Sequence, residues 1–296
     1  MRKFRGVAAD TGLVYAAAIW GATFYMVKNA VEYIDPIALV GYRFFIAAII
    51  LGLGLIIAKK RIFENFKSGI VLGLLLWLLY IPQTLGLKYT TAANSGFITG
   101  TFIMFVPLLV FLFHKKLPSF NRIFSVLLVI AGLWILTGGM SSINLGHLLT
   151  LICAVGYATH LFVSDIYMKR GLNPYVVTFQ QFLVTGVLSF ITLLLTGGSF
   201  KAGNAQVINA ILFLALFPSL SAFIIQLWAQ KFTSPLKVSI IFSLEPVFGA
   251  LFSWTLGNEE FIAVRALGGI IIVAAMIISE LPSPLIKIGS RAEVKD

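Results

Sequence analysis

The octapeptide QTLGLKYT at residues 83–90 recurs as QLWAQKFT at residues 226–233, with Gln, Lys and Thr in matching places. The motif AIWGAT at residues 18–23 likewise recurs as AVGYAT at residues 154–159. The remaining matches are Asp35-Pro36 with Asn173-Pro174, Arg43-Phe44 with Gln181-Phe182, and Pro107 with Pro246. Because these pairs keep the same order along the chain, they indicate an internal duplication. The sequence therefore predicts two copies of a unit of about 140 residues.

The composition is that of an integral membrane protein. The 296 residues are 59% hydrophobic and only 11% charged, against about 25% charged in an ordinary soluble domain. The net charge of +11 is spread between apolar runs, whereas a nucleic-acid-binding protein needs a clustered basic face on a folded domain. We therefore expect a lipid bilayer as a partner and no nucleic acid.

Cofactor and metal chemistry find no support in the sequence. Cys153 is the only cysteine, which rules out an intramolecular disulfide or a CxxC site. The three histidines are too far apart for a short metal-binding motif, and no P-loop is present. No pattern of a nucleophile with its base, HExxH or paired acids appears either. We predict no cofactor, no metal and no enzymatic activity.

Ten runs are apolar and long enough to cross a bilayer, which takes about 20 residues. They lie at about 11–28, 37–58, 68–87, 93–113, 121–138, 146–168, 175–196, 207–230, 236–256 and 262–281. Five spans in each copy is an odd number, so the second copy is inserted upside down relative to the first. The predicted fold is an all-α membrane protein with ten transmembrane helices arranged as two inverted five-helix repeats. The predicted units are residues 1–140, residues 141–285 and a cytoplasmic tail at 286–296.

The distribution of basic residues predicts the orientation. With a cytoplasmic N-terminus, 17 of the 22 Lys and Arg fall on the cytoplasmic side and four on the opposite side. This asymmetry follows the positive-inside rule. We predict a multi-pass protein of the cytoplasmic (inner) membrane, with both termini in the cytoplasm.

Four stretches resemble the ten-span EamA-type members of the drug/metabolite transporter superfamily. They are WGATF at 20–24, QTLGLKYTTAANSGFITGTFIMFVPLL at 83–109, WAQKFTSP at 228–235 and FSLEPVFGALFSW at 242–254. The resemblance covers roughly residues 11–281. It implies that spans 1–4 and 6–9 face a central cavity while spans 5 and 10 lie to the side. It also implies transport of a small metabolite, often as an exporter.

Ionisable side chains within spans are candidate functional groups, because placing one in the bilayer centre costs at least about 2.5 kcal/mol. Glu245 either satisfies backbone groups loosened by Pro246, or binds a proton or a cationic group of the solute and gates the change of state. His160 either shuttles protons or packs through a hydrogen bond. Arg43 either extends to the membrane interface or contacts the solute.

Aromatic and neutral polar residues are predicted to line the cavity, as is usual for small-molecule pockets. The predicted lining is Trp20, Phe24, Tyr80, Gln83, Asn94, Phe97, Thr101, Tyr157, His160, Gln226, Trp228, Phe242 and Glu245. For coupling or gating we predict Glu245 and His160, together with bends of spans 4 and 9 at Pro107 and Pro246.

These observations predict a secondary transporter of a small metabolite, such as an amino acid or a nucleobase, that works by alternating access and as an exporter. Protons are a candidate second partner. The protein is expected to be a monomer or a weak homodimer. The alternatives are a membrane-embedded lipid-handling subunit and a facilitative channel without coupling.

Overall fold

A computed structural model describes residues 2–115, 120–139, 142–233 and 235–281. Throughout these ranges the regular structure is helical, and no strand is present. The helices are α1 (Arg2–Ala30), α2 (Pro36–Ile57), α3 (Phe66–Gly86), α4 (Ala92–Gly100), α5 (Phe102–His114), α6 (Phe120–Thr137), α7 (Leu145–Lys169), α8 (Pro174–Leu195), α9 (Ala205–Leu214), α10 (Ala222–Gln230), α11 (Pro235–Phe242), α12 (Glu245–Thr255) and α13 (Ala263–Glu280). A π-helical segment, Ala215–Ser221, joins α9 to α10. The predicted tail at 286–296 lies outside the described residues.

Seven helical stretches are long and apolar enough to cross a membrane. They are Val7–Ala30, Pro36–Ile57, Phe66–Gly86, Ala92–Phe113, Leu145–Lys169, Pro174–Leu195 and Ala205–Gln230. Three shorter apolar helices are Ile123–Thr137, Ile240–Thr255 and Ala263–Ser279. The prediction of an all-α, multi-pass membrane protein is therefore confirmed.

The helices α2 and α8 begin with the same N-capping motif. The Asp35 side chain accepts a hydrogen bond from the Ile37 amide over 2.8 Å, and the Asn173 side chain accepts one from the Tyr175 amide over 3.0 Å. Each cap is followed by a proline at the first helical position, where the missing N–H removes no helical hydrogen bond. Both helix starts are therefore specified locally by a short Asx-Pro motif.

Glycines let α2 and α8 pack closely. A Cβ atom on Gly41 would lie 2.7 Å from the ring of Phe190, and one on Gly52 would lie 2.7 Å from the ring of Phe179. Small residues that admit a neighbour at this distance drive helix association in membranes. Two bulky rings therefore fit into two glycine notches along one interface.

The helices α6 and α13 approach each other backbone to backbone. A Cβ atom on Gly132 would lie 2.9 Å from the carbonyl oxygen of Gly268, and a Cβ atom on Gly268 would lie 2.7 Å from the carbonyl oxygen of Gly132. Since a backbone atom cannot rotate away, each glycine is required by the other helix.

Two long apolar stretches are interrupted in the middle. Between α4 and α5 the amide of Thr101 donates to Ile98, three residues back, and its hydroxyl donates to the same carbonyl. Between α11 and α12 the amides of Ser243 and Leu244 also donate three residues back. The sequence predicts bends at Pro107 and Pro246, but the first interruption lies at Thr101, with Pro107 inside α5.

The first interruption has a local physical reason. The tightened turn at Thr101 is closed by a side-chain hydroxyl that competes for a backbone carbonyl. The second interruption comes directly before Glu245 and Pro246, which occupy the first turn of α12. A proline in the first turn requires no helical donor.

Candidate functional site

A small cavity lies where helices from both halves of the chain meet. Its walls come from α1, α3, α7, α10 and α12, and its volume is about 10 Å³, which holds about one water molecule. The lining residues are Trp20, Thr23, Leu79, Tyr80, Gln83, Tyr157, Phe223 and Glu245. The lining combines aromatic side chains with one carboxylate and one amide, and this composition is typical of small-molecule sites.

Glu245 is the acidic residue that lines this cavity. It is the first residue of α12 and is only 5% exposed. The hydroxyl of Tyr157 donates to its Oε2 over 3.2 Å, and the Tyr157 ring is stacked on Phe102 with centroids 4.1 Å apart. The single salt bridge found in the described ranges joins Lys169 to Asp165 elsewhere. The buried carboxylate is therefore held by a neutral hydrogen-bond donor.

Trp20 forms another part of the cavity wall and is held in place by a hydrogen bond to the π-helical segment. Its indole Nε1–H donates to the carbonyl of Pro218 over 2.7 Å. Its ring packs against Phe223 and Phe242, with centroids 5.2 and 5.1 Å away. A π-helix leaves carbonyls that the ordinary helix ladder would have used, and such segments are frequent at functional sites.

Gln83 and Tyr80 carry the polar groups on the α3 side. The Gln83 amide donates to the hydroxyl of Thr99 over 3.3 Å, which connects α3 to α4. The ring of Tyr80 packs against Phe44 with centroids 4.8 Å apart. Its hydroxyl accepts from Arg43.

Arg43 does not extend to the membrane interface. Its side chain is 3% exposed, and its Nε donates to the hydroxyl of Ser219 over 2.6 Å. Its guanidinium carbon lies 4.6 Å from the centroid of the Tyr80 ring, a distance typical of a cation–π contact. The interfacial alternative for Arg43 is therefore not what the structure shows.

His160 lies beside the cavity, outside its lining. One imidazole nitrogen, Nε2, is 2.8 Å from the side-chain oxygen of Gln181, and the ring meets Phe223 edge-on. Gln226 is fully buried, and neither end of its amide has a partner in the described part of the chain. His160 therefore adjoins the cavity through Phe223, which lines it.

Five of the thirteen predicted lining residues border the cavity: Trp20, Tyr80, Gln83, Tyr157 and Glu245. Phe242 packs directly behind Trp20. Phe24 instead packs on the glycines of α4 and α12. Trp228 contacts Phe232 at the end of α10.

Three other predicted residues, all in span 4, lie away from the cavity. Asn94 and Phe97 line a separate pocket of about 200 Å³ near Glu259, and Thr101 closes the turn between α4 and α5. For gating, Pro246 contacts α4 near Gly100, whereas the side chain of Pro107 lies outside the described residues.

Three lining residues were not predicted: Thr23, Leu79 and Phe223. Two of them, Thr23 and Phe223, had a signal in helical spacing. Thr23 follows Trp20 by three residues and Phe223 precedes Gln226 by three, so each shares a helix face with a predicted residue. Leu79 carries no polar group, and nothing in its local sequence distinguishes it from the lipid-facing leucines around it.

A wider cavity of about 650 Å³ opens at the ends of α1 and α9. Its polar lining includes Asn29, Glu32, Gln206, Asn209 and Asn258. The cavity is rich in amides, which hydrogen-bond solutes of either charge.

Comparison with known proteins identifies the family. The pattern of the EamA-like transporter family matches residues 8–138 and again 144–280. A protein named as an uncharacterized transporter from Archaeoglobus fulgidus is 35% identical over 92% of this chain and 86% of its own length. The uncharacterized inner membrane transporter YedA of Escherichia coli (strain K12) is 24% identical over 94% of this chain and 92% of its own length.

A solved crystal structure shows the same fold. It superposes with a TM-score of 0.67 at 18% identity, over 90% of this chain and 94% of the other. The matched family and relatives are transporters, which are not enzymes. With matches that span both halves of its sequence, this chain belongs to the EamA-like transporter family of membrane proteins.

Proposed function

We propose that the protein is a secondary transporter that carries a small metabolite across the cytoplasmic membrane by alternating access. The aromatic cavity around Glu245 is its solute site, in a closed state. The observation that carries this proposal is the hydrogen bond from Tyr157 to Glu245, because it holds a buried carboxylate inside a pocket whose walls come from both halves.

We also propose that the chain forms ten transmembrane helices arranged as two inverted repeats. The seven long apolar stretches and the three shorter apolar helices add up to that number. The two separate family matches, to residues 8–138 and 144–280, support a duplication. Inverted repeats around a central site let a transporter exchange its two open states.

The packing supports a two-fold relation between the halves. Phe44 and Phe182, which the sequence repeat pairs with each other, are in contact with ring centroids 5.3 Å apart. In the same register Gly41 corresponds to Phe179, and Gly52 corresponds to Phe190. The contact of Gly41 with Phe190 is therefore the repeat equivalent of the contact of Gly52 with Phe179. A patch that contacts its own equivalent is the mark of a two-fold axis. Gly132 and Gly268 meet in the same mutual way.

We propose Glu245, rather than His160, as the main residue that couples transport to a gradient. Glu245 borders the cavity at the start of α12, where the helix is interrupted. His160 is bonded to Gln181 behind the aromatic wall. We therefore propose Glu245 as the group that binds a proton or a cationic group of the solute, and His160 as a supporting group.

Direction and orientation complete the proposal. Both termini are cytoplasmic, and the wide amide-lined cavity near Asn29 and Asn258 opens on the opposite side. We propose net export because the resemblance to EamA-type transporters, which are often exporters, favours that direction. The protein acts as a monomer or a weak homodimer.

Transport by purified protein in proteoliposomes tests the proposal. Amino acids, nucleobases, amines and sugars are first screened for thermal stabilisation in detergent, and the stabilising compounds are then offered as radiolabelled solutes. Saturable flux with counterflow supports a transporter. Flux that never saturates indicates a channel, and formation of a product indicates an enzyme.

A further inference from the structure

Arg43 is a buried cation for which the described part of the chain offers no carboxylate. Its side chain is 3% exposed, and the salt bridge recorded there joins Lys169 to Asp165 near the surface. A buried charge without a counter-ion is strongly unfavourable. Within the described residues this cation therefore has hydrogen-bond and ring contacts but no ion-pair partner.

The guanidinium of Arg43 has spare donors. Of its five N–H groups, one on Nε donates to Ser219 over 2.6 Å and one on Nη2 lies 3.5 Å from the hydroxyl of Tyr80. The second contact is at the limit of hydrogen-bond length. The remaining donors have no acceptor among the described residues. Such a fork of N–H groups matches a carboxylate in two-pronged geometry.

Arg43 lies directly behind one wall of the cavity. The ring of Tyr80 borders the cavity, which Arg43 does not line, and the guanidinium carbon lies 4.6 Å from the centroid of that ring. Glu245 borders the same cavity. A rotation of the Tyr80 side chain would therefore expose a cation on α2 to a pocket that already contains an anion on α12.

We propose that Arg43, positioned by Ser219 and covered by Tyr80, is the subsite for a carboxylate of the transported solute. This inference rests on the proposed transport function and adds the chemical class of the solute. Because Glu245 contributes the opposite charge to the same pocket, the solute that fits best is a small zwitterion. Its carboxylate pairs with Arg43, and its ammonium group replaces the Tyr157 hydroxyl at Glu245.

A purely structural role makes a different prediction. If Arg43 only ties α2 to the π-helical segment through Ser219, its replacement lowers stability without changing which solutes bind. Discrimination between matched solutes with and without a carboxylate separates the two roles, because a structural tie has no means of recognising that group.

The experiment uses purified full-length protein and three kinds of probe. L-α-amino acids of different side chains are each compared with the corresponding amide, which lacks the carboxylate, and with the deamino acid, which lacks the ammonium group. Binding is followed as the rise in Tm with probe concentration. We expect at least one amino acid to raise Tm, with the amide and the deamino acid ineffective or much weaker.

The variants are chosen to fold. Arg43→Gln places at this position the side chain found at its repeat equivalent, Gln181, which is itself fully buried. Arg43→Lys keeps the charge but loses the two-pronged geometry. The matched control is Lys201→Gln, which removes one positive charge from an exposed segment. Gel filtration establishes that each variant is monodisperse before it is titrated.

The expected result is that Arg43→Gln raises the half-saturating concentration of the amino acid at least about tenfold. Arg43→Lys falls between the two, and Lys201→Gln binds as the wild type does. An Arg43→Gln protein that still prefers the amino acid over its amide overturns the proposal. So does a wild-type protein that is stabilised by none of the amino acids, or only by probes without a carboxylate.

The two levels of inference fail separately. If proteoliposomes show saturable counterflow only for solutes without a carboxylate, the protein is a transporter and the Arg43 subsite is wrong. If no solute shows counterflow, the proposed transport function itself is wrong.

Discussion

Tyr157 on α7 donates a hydrogen bond to Glu245 on α12, and this bond lies at the place where the second interrupted stretch resumes its helix. The same tyrosine ring stacks on Phe102, the first residue after the other interruption. One side chain therefore touches both helix restarts. A ligand that takes over the carboxylate of Glu245 would release this connection between them.

Replacing Glu245 by Gln tests its role in coupling. The amide keeps the shape of the side chain and can still accept the Tyr157 hydrogen bond, so the fold is expected to persist. Because the charge is lost, we expect gradient-driven accumulation to be abolished while downhill counterflow continues. The measurement is uptake by proteoliposomes with and without an imposed proton gradient.

His160→Asn is the companion to that experiment, since it alters the other predicted coupling residue outside the cavity lining. We expect a weaker effect on accumulation, because the imidazole is bonded to Gln181 behind the aromatic wall. Normal accumulation by both Glu245→Gln and His160→Asn would show that neither residue couples transport to the gradient.

Tyr157→Phe isolates the hydroxyl. The ring can keep its stacking on Phe102, but Glu245 loses its donor. Leaving a buried acceptor unsatisfied costs about 1–3 kcal/mol. We expect a lower Tm in detergent. The double variant Tyr157→Phe with Glu245→Leu, which removes the donor and the acceptor, should lose less than the sum of the two single variants, because each single variant breaks the same bond. Additive losses would argue against a direct interaction.

We expect Glu259 to cap the N-terminal end of α4. Its carboxylate accepts hydrogen bonds from the amides of Ala92 and Ala93, the latter over 3.0 Å. These amides begin α4 and have no helical acceptor. Glu259→Ala should therefore destabilise the protein by about 0.5–2 kcal/mol, the usual effect of removing a helix cap.

Glu260→Ala is the matched control for the cap, because this neighbour carries the same charge but is exposed. Its Tm should change little. Amide exchange at Ala92 and Ala93 gives a local readout, and equal exchange in both variants would contradict the capping role of Glu259.

Gly268→Ala tests the contact between α6 and α13. The added methyl would meet the carbonyl of Gly132 at 2.7 Å, and a backbone atom cannot move aside as a side chain can. Overpacking of this kind costs about 1–3 kcal/mol. The control is Gly54→Ala, where no atom lies within 4 Å of the new methyl.

Gly54→Ala should be neutral or slightly stabilising, since alanine is favoured over glycine in a helix by up to about 1 kcal/mol. Thermal unfolding of both purified variants decides the matter. Equal melting temperatures for Gly268→Ala and the wild type would show that the two helices can separate at no cost.

The fold was largely predictable because the signal for a membrane helix is a long apolar run, and such runs need no tertiary information. The third span was predicted at 68–87 and is found as Phe66–Gly86. The Asx-Pro caps before α2 and α8 are also local. By contrast, the turn at Thr101 and the π-helical segment depend on hydroxyl and indole partners that come into place only through packing.

The site was predictable in part for a related reason. Charged and amide residues such as Glu245 and Gln83 are conspicuous in an apolar helix. Which aromatic residue faces the cavity is a different question, since every face of these helices is apolar and helical spacing does not rank them. Phe24 and Phe223 have the same composition signal, yet only Phe223 borders the cavity.

The size of the central cavity has a consequence for the cell. With room for about one water molecule between aromatic walls, this shape offers ions no continuous wet path through the site. A membrane that contained many copies in this shape would therefore lose little of its ion gradients through the site.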